Sequence, residues 1–244
     1  MNELKVIVRE VVDSTNNYAS EYCRETEGPF AVVAGYQSKG KGQRGNNWLS
    51  VAGQNLLISL VIDLNNLQVS KNFFLSKIAA LSVHSVVSGY SGDTFIKWPN
   101  DIITCKKKIS GILIENTITG SNVSRSIIGV GININQTDFP AMEPVAISLK
   151  MITQKEEEIS EVQNSLIEVF FKYLEILEVG NYDRIDDEYF SKLLNFEKWA
   201  DYIEGRKKLR GRIVDVMDDG YMVMETEDGQ YRKFGFGDIR YLEN

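Results

Sequence analysis

The chain has 244 residues, of which 43% are hydrophobic and 25% are charged, an ordinary globular composition that excludes a disordered or fibrous protein. Its formal net charge of -7 disfavours a general nucleic-acid binder. The longest apolar run, residues 55–64, is far shorter than the roughly 18–20 residues that cross a bilayer, so we expect no membrane-spanning helix.

The cysteines and the start of the chain indicate a cytoplasmic protein. Cys23 and Cys105 lack CxxC spacing, which argues against a zinc site and against a disulfide framework. The first 13 residues lack the basic-then-apolar pattern of a signal peptide. We therefore expect a protein that stays in the reducing compartment where it is made.

The first half of the chain predicts a β-sheet with inserted helices. Residues 4–11 alternate as in a strand, and Asp13, Ser14 and Thr15 then supply N-cap chemistry for a helix to about residue 24. A second helix is predicted at residues 70–87, and further strands are predicted at residues 31–37, 55–64, 95–98, 102–104, 109–115 and 126–135. The loop at residues 38–53 is long for a hairpin, which is typical of a functional or mobile segment.

The second half changes from helices to short strands. Amphipathic helices are predicted at residues 159–179 and 183–196. Short β-like segments at 209–217, 221–226 and 230–234 are separated by Asp-Gly turn signals and predict a small barrel or ribbon. We therefore predict an α+β fold with a first domain at residues 1–198 and a small all-β domain at 199–244. So short a domain is marginal alone, and we expect it to dock on the first.

The loop at residues 37–48 is rich in glycine and basic residues, with Gly40, Lys41, Gly42, Gln43 and Arg44 in five consecutive positions. Glycines let main-chain N–H groups converge on an anion, and the basic side chains add positive charge, so the pattern favours phosphate binding. It is not a Walker A loop, because no Gly-Lys-Ser/Thr ends it. An exposed basic turn is the alternative interpretation.

Two further segments carry polar side chains at predicted strand ends. The sequence KWPND at residues 97–101 presents Asn100 and Asp101 after a proline-fixed turn, and hairpin pairing can bring Lys108 beside Asp101. Such a lysine could stabilise carboxylate and phosphate charge together, although a solvated hairpin tip is the alternative. The segment at 129–135, GVGININ, offers Asn133 to a base or ribose edge, or is a glycine-relieved core strand.

The combination of these segments resembles the biotin–protein ligases. Ser14-Thr15-Asn16, GKGQRGNNW, KWPND, KISGIL and GVGININ occur in the order and approximate spacing of that family, over most of residues 1–150. The resemblance implies a mixed sheet flanked by helices, as in class II aminoacyl-tRNA synthetases and lipoate ligases, followed by a small SH3-like barrel. It also implies a monofunctional type, because too few residues precede Ser14 for the N-terminal DNA-binding domain that some members carry.

The resemblance also implies the roles of individual residues. Lys108, Asp101 and Arg44 are expected to be catalytic. Those expected to bind biotin are Ser14, Thr15, Asn16, Gln37, Gly40, Lys41, Lys108 and Gly111. Those expected to bind ATP or the adenylate are Lys41, Gln43, Arg44, Trp48, Asn100, Lys108 and Asn133. No metal-binding cluster is expected, and Mg²⁺ would arrive with ATP.

The loop departs from the family pattern, which resembles Gly-Arg-Gly-Arg-x-Gly-Arg. Lys41, Gln43 and Asn46 stand at the three arginine positions, and Arg44 stands at the variable one. Lysine lacks the bidentate fork of arginine, and glutamine lacks the charge. Our hypothesis is that Arg44 partly replaces the missing cation at the phosphate.

The function implied by the resemblance is activation of biotin to biotinyl-5'-AMP and its transfer to a lysine of a biotin carboxyl carrier domain. A lipoate or octanoate ligase and a non-catalytic binder of the adenylate are the alternatives. A homodimer is possible through exposed sheet edges, and neither a nucleic-acid nor a membrane partner is expected. The single histidine, His84, makes a Ser-His-Asp hydrolase unexpected.

Overall fold

The protein contains a central sheet and a separate C-terminal sheet. A computed structural model describes residues 4–23, 26, 28–141 and 144–242. No helix in these ranges is both long enough and apolar enough to cross a bilayer. The end of the predicted first helix, at residue 24, lies outside the described residues.

The central sheet has seven strands in the order β1-β2-β3-β7-β6-β5-β4. The pair β1/β2 is parallel and every other neighbouring pair is antiparallel, so the predicted mixed sheet is confirmed. The strands are β1 (Lys5–Val12), β2 (Phe30–Gln37), β3 (Asn55–Gln68), β4 (Thr94–Lys97), β5 (Asp101–Thr104), β6 (Lys107–Thr119) and β7 (Asn122–Asn133).

Helices cover the two faces of the central sheet. They are α1 (Thr15–Tyr22), α2 (Phe73–Ser88), α3 (Leu149–Thr153), α4 (Ile159–Glu178) and α5 (Tyr182–Lys192). Alternate residues of β7 face opposite ways, since Ile128 joins the large core that contains α2 and α4, whereas Ile127 packs with Ala19 of α1. Gly129, Gly131 and Asn133 continue the alternation of Ile127, so they lie on the α1 face.

The C-terminal sheet has five strands, all antiparallel to their neighbours, in the order β11-β10-β9-β8-β12. They are β8 (Trp199–Glu204), β9 (Lys207–Val216), β10 (Met222–Thr226), β11 (Tyr231–Phe234) and β12 (Ile239–Tyr241). The predicted fold class, a mixed sheet with helices followed by a small all-β unit, is confirmed. The domain boundary between residues 198 and 199 stays a prediction.

Some predicted elements differ in length from the observed ones. The fifth helix was expected to reach residue 196 but ends at Lys192, because Leu193 is extended and buried and pairs with Ile96 of β4. Strands β8 and β12 were not predicted from the sequence. The third strand is longer than expected and reaches Gln68, since its last residues pair with the start of β7.

The C-terminal sheet packs on the central sheet through aromatic side chains. The indole N–H of Trp98 donates to the carbonyl of Gly220 at 3.1 Å. The Phe236 ring lies 5.4 Å from the Trp98 ring and 5.9 Å from the Phe73 ring, centroid to centroid. This contact places the loop between β11 and β12 beside the turn that joins β4 to β5, and the expected docking is confirmed.

Candidate active site

A cavity of about 830 Å³ lies between the α1 face of the central sheet, the loop at 40–48 and the C-terminal sheet. Nearly every site residue predicted from the sequence lines it: Ser14, Thr15, Asn16, Gln37, Lys41, Gln43, Arg44, Trp48, Asn100, Asp101, Lys108, Gly111 and Asn133. Gly40 does not line the cavity. It pairs with Trp48 across the base of the loop. One cavity therefore collects motifs that lie far apart in the sequence.

The polar end of the cavity is the start of α1, with Ser14, Thr15 and Gln37. Ser14 stands at the N-cap position in extended conformation, yet its side chain makes no capping hydrogen bond. Gln37 Oε1 accepts hydrogen bonds from the Thr15 backbone N–H at 2.7 Å and from its hydroxyl at 3.0 Å. These two bonds orient the Gln37 amide, so the polar end is fixed before any ligand arrives.

Asn16 holds this polar end against the sheet. Its Oδ1 accepts from the Ser59 hydroxyl at 2.6 Å, and its Nδ2 donates to Glu115 at 2.7 Å. A Cβ at position 129 would lie 2.3 Å from Asn16 Oδ1, so Gly129 is required for this approach. The Asn16 amide is thus engaged by protein groups, which fits a supporting role, and its contact with biotin stays a prediction.

The glycine-rich loop folds into a narrow hairpin of its own. The backbone N–H of Trp48 donates to Gly40 at 2.9 Å, and that of Gly42 donates to Asn46 at 2.7 Å. Its tip is a short 3₁₀ turn in which Arg44 has a left-handed backbone, with φ of 57°. A Cβ at position 40 would lie 2.4 Å from the Trp48 carbonyl oxygen, so a side chain there would break the hairpin.

The Trp48 ring packs on two neighbouring strands of the sheet, each of which has a glycine under the ring. Gly111 of β6 pairs with Gly131 of β7, and a Cβ at these positions would lie 3.0 Å and 2.4 Å from the indole ring. Lys108 Nζ is 5.6 Å from the ring centroid. The glycines therefore make room for an aromatic surface beside a cation, a combination suited to a planar base and a phosphate.

Lys108 and Asp101 form an ion pair on the wall of the cavity. Strands β5 and β6 make the predicted hairpin, and Lys108 Nζ lies 2.7 Å from Asp101 Oδ1. Both side chains are partly buried, at 24% and 17% exposure. The backbone of Lys108 is clamped by Val145 and Ile147, through bonds of 2.8 and 2.9 Å. The predicted proximity of these residues is confirmed, and their roles stay predictions.

The two asparagines assigned to the nucleotide side also fix backbone. Asn100 Nδ2 donates to the Ile112 carbonyl at 2.8 Å, and the Ile112 N–H donates back to Asn100 at 3.0 Å. Asn133 is 3% exposed and donates to the Ile147 carbonyl at 3.1 Å. These bonds tie the turn after β4 and the segment at 144–147 to the sheet around Lys108.

The lysine of the loop is tied to α1 through a polar chain. Lys41 Nζ donates to Asn17 Oδ1, and Asn17 Nδ2 donates to Asp13. The hydrogen bond from Asn17 holds the pKa of the Asp13 carboxyl below its usual value, with a further contribution from the Ser14 backbone N–H. These side-chain hydrogen bonds therefore join the loop hairpin to the polar end of the cavity.

Comparison with known proteins shows which family has this arrangement. The Biotin/lipoate A/B protein ligase family model matches residues 8–133, more than half of the chain. The chain belongs to the biotin/lipoate A/B protein ligase family. The matched segment contains every site residue predicted from the sequence, from Ser14 to Asn133, and the ligases described next confirm the resemblance to the biotin–protein ligases.

Individual ligases match over longer stretches. The bifunctional ligase/repressor BirA of Bacillus spizizenii is 30% identical over 239 residues, which cover 92% of this chain and 70% of that protein. The biotin–[acetyl-CoA-carboxylase] ligase of Paracoccus denitrificans is 32% identical over 137 residues, which cover 55% of this chain and 57% of that one. The structure of the Aquifex aeolicus biotin protein ligase in complex with biotin and ATP is 26% identical, with a TM-score of 0.79 and coverage of 98% and 99%.

The cavity is also lined by residues that the sequence did not single out. The C-terminal sheet and its loops contribute Ile203, Phe236, Gly237, Ile239, Arg240, Tyr241 and Leu242 to the cavity. Burial raises the pKa of the Tyr241 hydroxyl, at the cavity wall, well above its usual value. The glycines of the FGFG run at 234–237 indicate that another group packs closely against this backbone, but the sequence does not indicate which group.

Arg44 of this ligase lies against that same C-terminal run. A Cβ at position 237 would lie 1.7 Å from Arg44 Nη1, and Gly237 has a positive φ of 77°. The guanidinium therefore occupies space that Gly237 leaves open, at the rim of the cavity. The hypothesis that Arg44 serves the phosphate stays a prediction, but its location on the cavity wall is compatible with it.

Proposed function

We propose that this chain uses ATP to activate biotin as biotinyl-5'-AMP and then transfers the biotinyl group to a lysine of a biotin carboxyl carrier domain. The observation that carries the proposal is the Lys108–Asp101 ion pair in a cavity with a polar end at Thr15 and Gln37 and an aromatic wall at Trp48. The Aquifex structure with biotin and ATP and the name of the Paracoccus relative support it.

The chemistry of biotin fits the polar end and the centre of the cavity. A ureido ring has both donors and acceptors, which hydroxyls and amides such as those of Ser14, Thr15 and Gln37 can satisfy. The carboxylate at the far end of the biotin chain needs a cation, and Lys108 supplies one. Biotin would therefore lie with its ring at α1 and its carboxylate at Lys108.

The first step forms a mixed anhydride. A biotin carboxylate oxygen attacks the α-phosphorus of Mg-ATP, and the bond from that phosphorus to pyrophosphate breaks. Lys108 stabilises the negative charge shared by the carboxylate and the α-phosphate, and Asp101 orients its ammonium. Trp48 and Asn133 are proposed to hold the adenylate, while Mg²⁺ arrives and leaves with the phosphates.

The second step releases AMP. The lysine amine of the carrier attacks the acyl carbon, an amide bond forms, and the carbon–oxygen bond to AMP breaks. Asp101 is the carboxylate in the cavity best placed to receive the proton that the amine loses. The cytoplasmic location, the possible homodimer and the expectation of no nucleic-acid partner stay predictions.

The proposal is tested by exchange of labelled pyrophosphate into ATP, measured with biotin, lipoate and octanoate in parallel. We expect exchange with biotin, followed by transfer to a carrier domain and no transfer to a carrier whose acceptor lysine is replaced by arginine. Exchange with lipoate or octanoate alone would overturn the choice of biotin. Tight binding of biotinyl-AMP without exchange would favour a non-catalytic binder.

A further inference from the structure

Lys77 of α2 is a fully buried cation away from the cavity. Its side chain is 0% exposed, and its ammonium pairs with Asp186 of α5. The same ammonium donates to the carbonyl of Val216, the last residue of β9, at 3.1 Å. One side chain therefore joins α2, α5 and the C-terminal sheet.

Three aromatic rings also lie around Lys77. Its ammonium lies 4.6 Å from the ring centroid of Phe74, 5.3 Å from that of Phe190 and 5.7 Å from that of Tyr189. A buried ammonium is unfavourable unless it is paired and hydrogen-bonded, and here each requirement is met by a different element. A hydrocarbon side chain would fill this space with less desolvation, so packing alone does not account for a lysine.

The charges of two C-terminal acidic residues, Asp215 and Asp218, act on Asp186, the partner of Lys77. Burial raises the pKa of the Asp186 carboxyl, and the charges of Asp218 and Asp215 raise it further, against the opposing effect of Lys77. Lys77 is thus the cation that holds the Asp186 carboxylate of α5 and the Val216 carbonyl at the end of β9 close to α2.

The carbonyl that Lys77 binds leads directly into the turn that docks on the active site. The turn at residues 217–221 accepts a hydrogen bond from the Phe73 backbone N–H at Asp218, 3.2 Å, and one from the Trp98 indole at Gly220, 3.1 Å. A Cβ at Gly220 would lie 2.8 Å from the Phe73 ring and 3.0 Å from the Phe236 ring. The turn is therefore packed tightly between the start of α2 and a wall of the cavity.

We propose that Lys77 is a positioning residue for ATP: by binding the Val216 carbonyl it fixes how the C-terminal sheet docks, and so places the wall made by Trp98, Phe236 and Gly237. This inference rests on the proposed adenylation reaction. The wall touches Arg44, at the tip of the loop, through Gly237, whereas Thr15 and Gln37 are hydrogen-bonded to each other at the start of α1. Loss of the Lys77 bond should therefore affect ATP and leave biotin binding unchanged.

Three variants separate this role from simple stabilisation. Lys77→Met removes the donor to Val216 and leaves Asp186 unpaired, and Asp186→Asn removes the ion pair but keeps the donor. The double variant, Lys77→Met with Asp186→Asn, removes both charges. It leaves no unpaired carboxylate, but the Val216 carbonyl still lacks its hydrogen-bond donor. We expect Lys77→Met to lower the Tm by about 5–15 °C and the double variant to regain part of that loss.

The decisive measurement is the KM for ATP against the KM for biotin in pyrophosphate exchange, at a temperature where every variant is folded. We expect the KM for ATP to rise about 3- to 10-fold in Lys77→Met and in the double variant, and to stay within about twofold of wild type in Asp186→Asn. The KM for biotin should not change in any of them. Should Lys77→Met fail to fold, the other two variants carry the same test.

Two outcomes overturn the inference. One is an unchanged KM for ATP in the double variant, and the other is a rise in Asp186→Asn that matches the rise in the double variant, since the effect would then follow the ion pair. Hydrogen exchange gives a readout without turnover: amides of Phe73 and of residues 217–221 should exchange faster in the double variant, with α4 unchanged. If wild type shows no biotin-dependent exchange, the proposed function fails, and hydrogen exchange still tests the docking.

Discussion

The two ends of the cavity are built in different ways. At the polar end, Ser14, Thr15 and Asn16 are 2–4% exposed, and side-chain hydrogen bonds hold the group in place. At the loop end, Lys41 and Arg44 are exposed, and the geometry comes from a backbone hairpin that glycines make possible. Specific side chains thus define the first end, and clearance around the main chain defines the second.

This difference predicts how each end responds to substitution. Removing one hydrogen bond at the polar end leaves other bonds in place, so a moderate loss for one substrate is expected. Adding atoms beneath the loop end displaces an aromatic ring and should cause a larger loss. Lys108 lines the same cavity, and we propose that it meets both the biotin carboxylate and the phosphate, so its replacement should have the largest effect.

Replacement of Lys108 by methionine tests the residue proposed to serve both ends of the cavity. The variant lacks the cation proposed to stabilise the carboxylate and α-phosphate charge, and we expect the exchange rate to fall by about 10²- to 10³-fold. Lys107→Met, on the neighbouring residue of β6, is the matched control and should retain wild-type exchange. A Lys108→Met enzyme with undiminished exchange would remove Lys108 from the reaction.

Replacement of Gly131 by alanine tests the clearance beneath Trp48. The new Cβ would lie 2.4 Å from the indole, which must move, so we expect affinity for biotinyl-AMP to fall by about 10- to 100-fold. Calorimetric titration with the adenylate measures the change. Gly92→Ala is the control, because a Cβ at position 92 meets nothing within 4 Å. Equal affinities of the two variants would show that Trp48 does not need its present position.

The contrast also explains how much could be predicted from the sequence. The proximity of Lys108 and Asp101 was predictable because a short hairpin keeps both residues close, although its register pairs Asp101 with Gly111 and Lys108 with Ile103. The start of α1 was predictable from its small polar residues. Such features depend on neighbours in the sequence. The glycines at 111 and 131 were visible in the motifs, but the indole that requires them comes from a distant loop.

The contribution of the C-terminal sheet could not be predicted for the same physical reason. Phe236 and Gly237 reach the cavity only because the turn after β9 docks on Phe73 and Trp98, a set of contacts between distant segments. Strand β12 has three residues, which is too short for a periodic pattern, and β8, with the sequence WADYIE, does not alternate apolar and polar residues. Helix α5 was predicted to be too long, because Leu193 is buried in a strand-like pairing that overrides the local helical pattern of the sequence.

Replacement of Arg44 by alanine tests whether charge also matters at the loop end. If Arg44 takes over from the arginines that the family pattern has elsewhere, the KM for ATP should rise about tenfold while the KM for biotin stays constant. Arg206→Ala, at an exposed turn between β8 and β9, controls for the loss of one positive charge. Unchanged adenylate affinity and exchange rate in Arg44→Ala would leave the loop end dependent on its backbone alone.

Replacement of Thr15 by valine tests the polar end with the smallest expected effect. Valine keeps the shape and the backbone N–H bond to Gln37 but removes the hydroxyl bond of 3.0 Å, so Gln37 is held by one bond in place of two. We expect the KM for biotin to rise about threefold with the KM for ATP unchanged. Thr117→Val, at an exposed position of β6, should change neither constant. A rise in the KM for ATP alone would mean that the orientation of biotin, with its ring at α1, must be reversed.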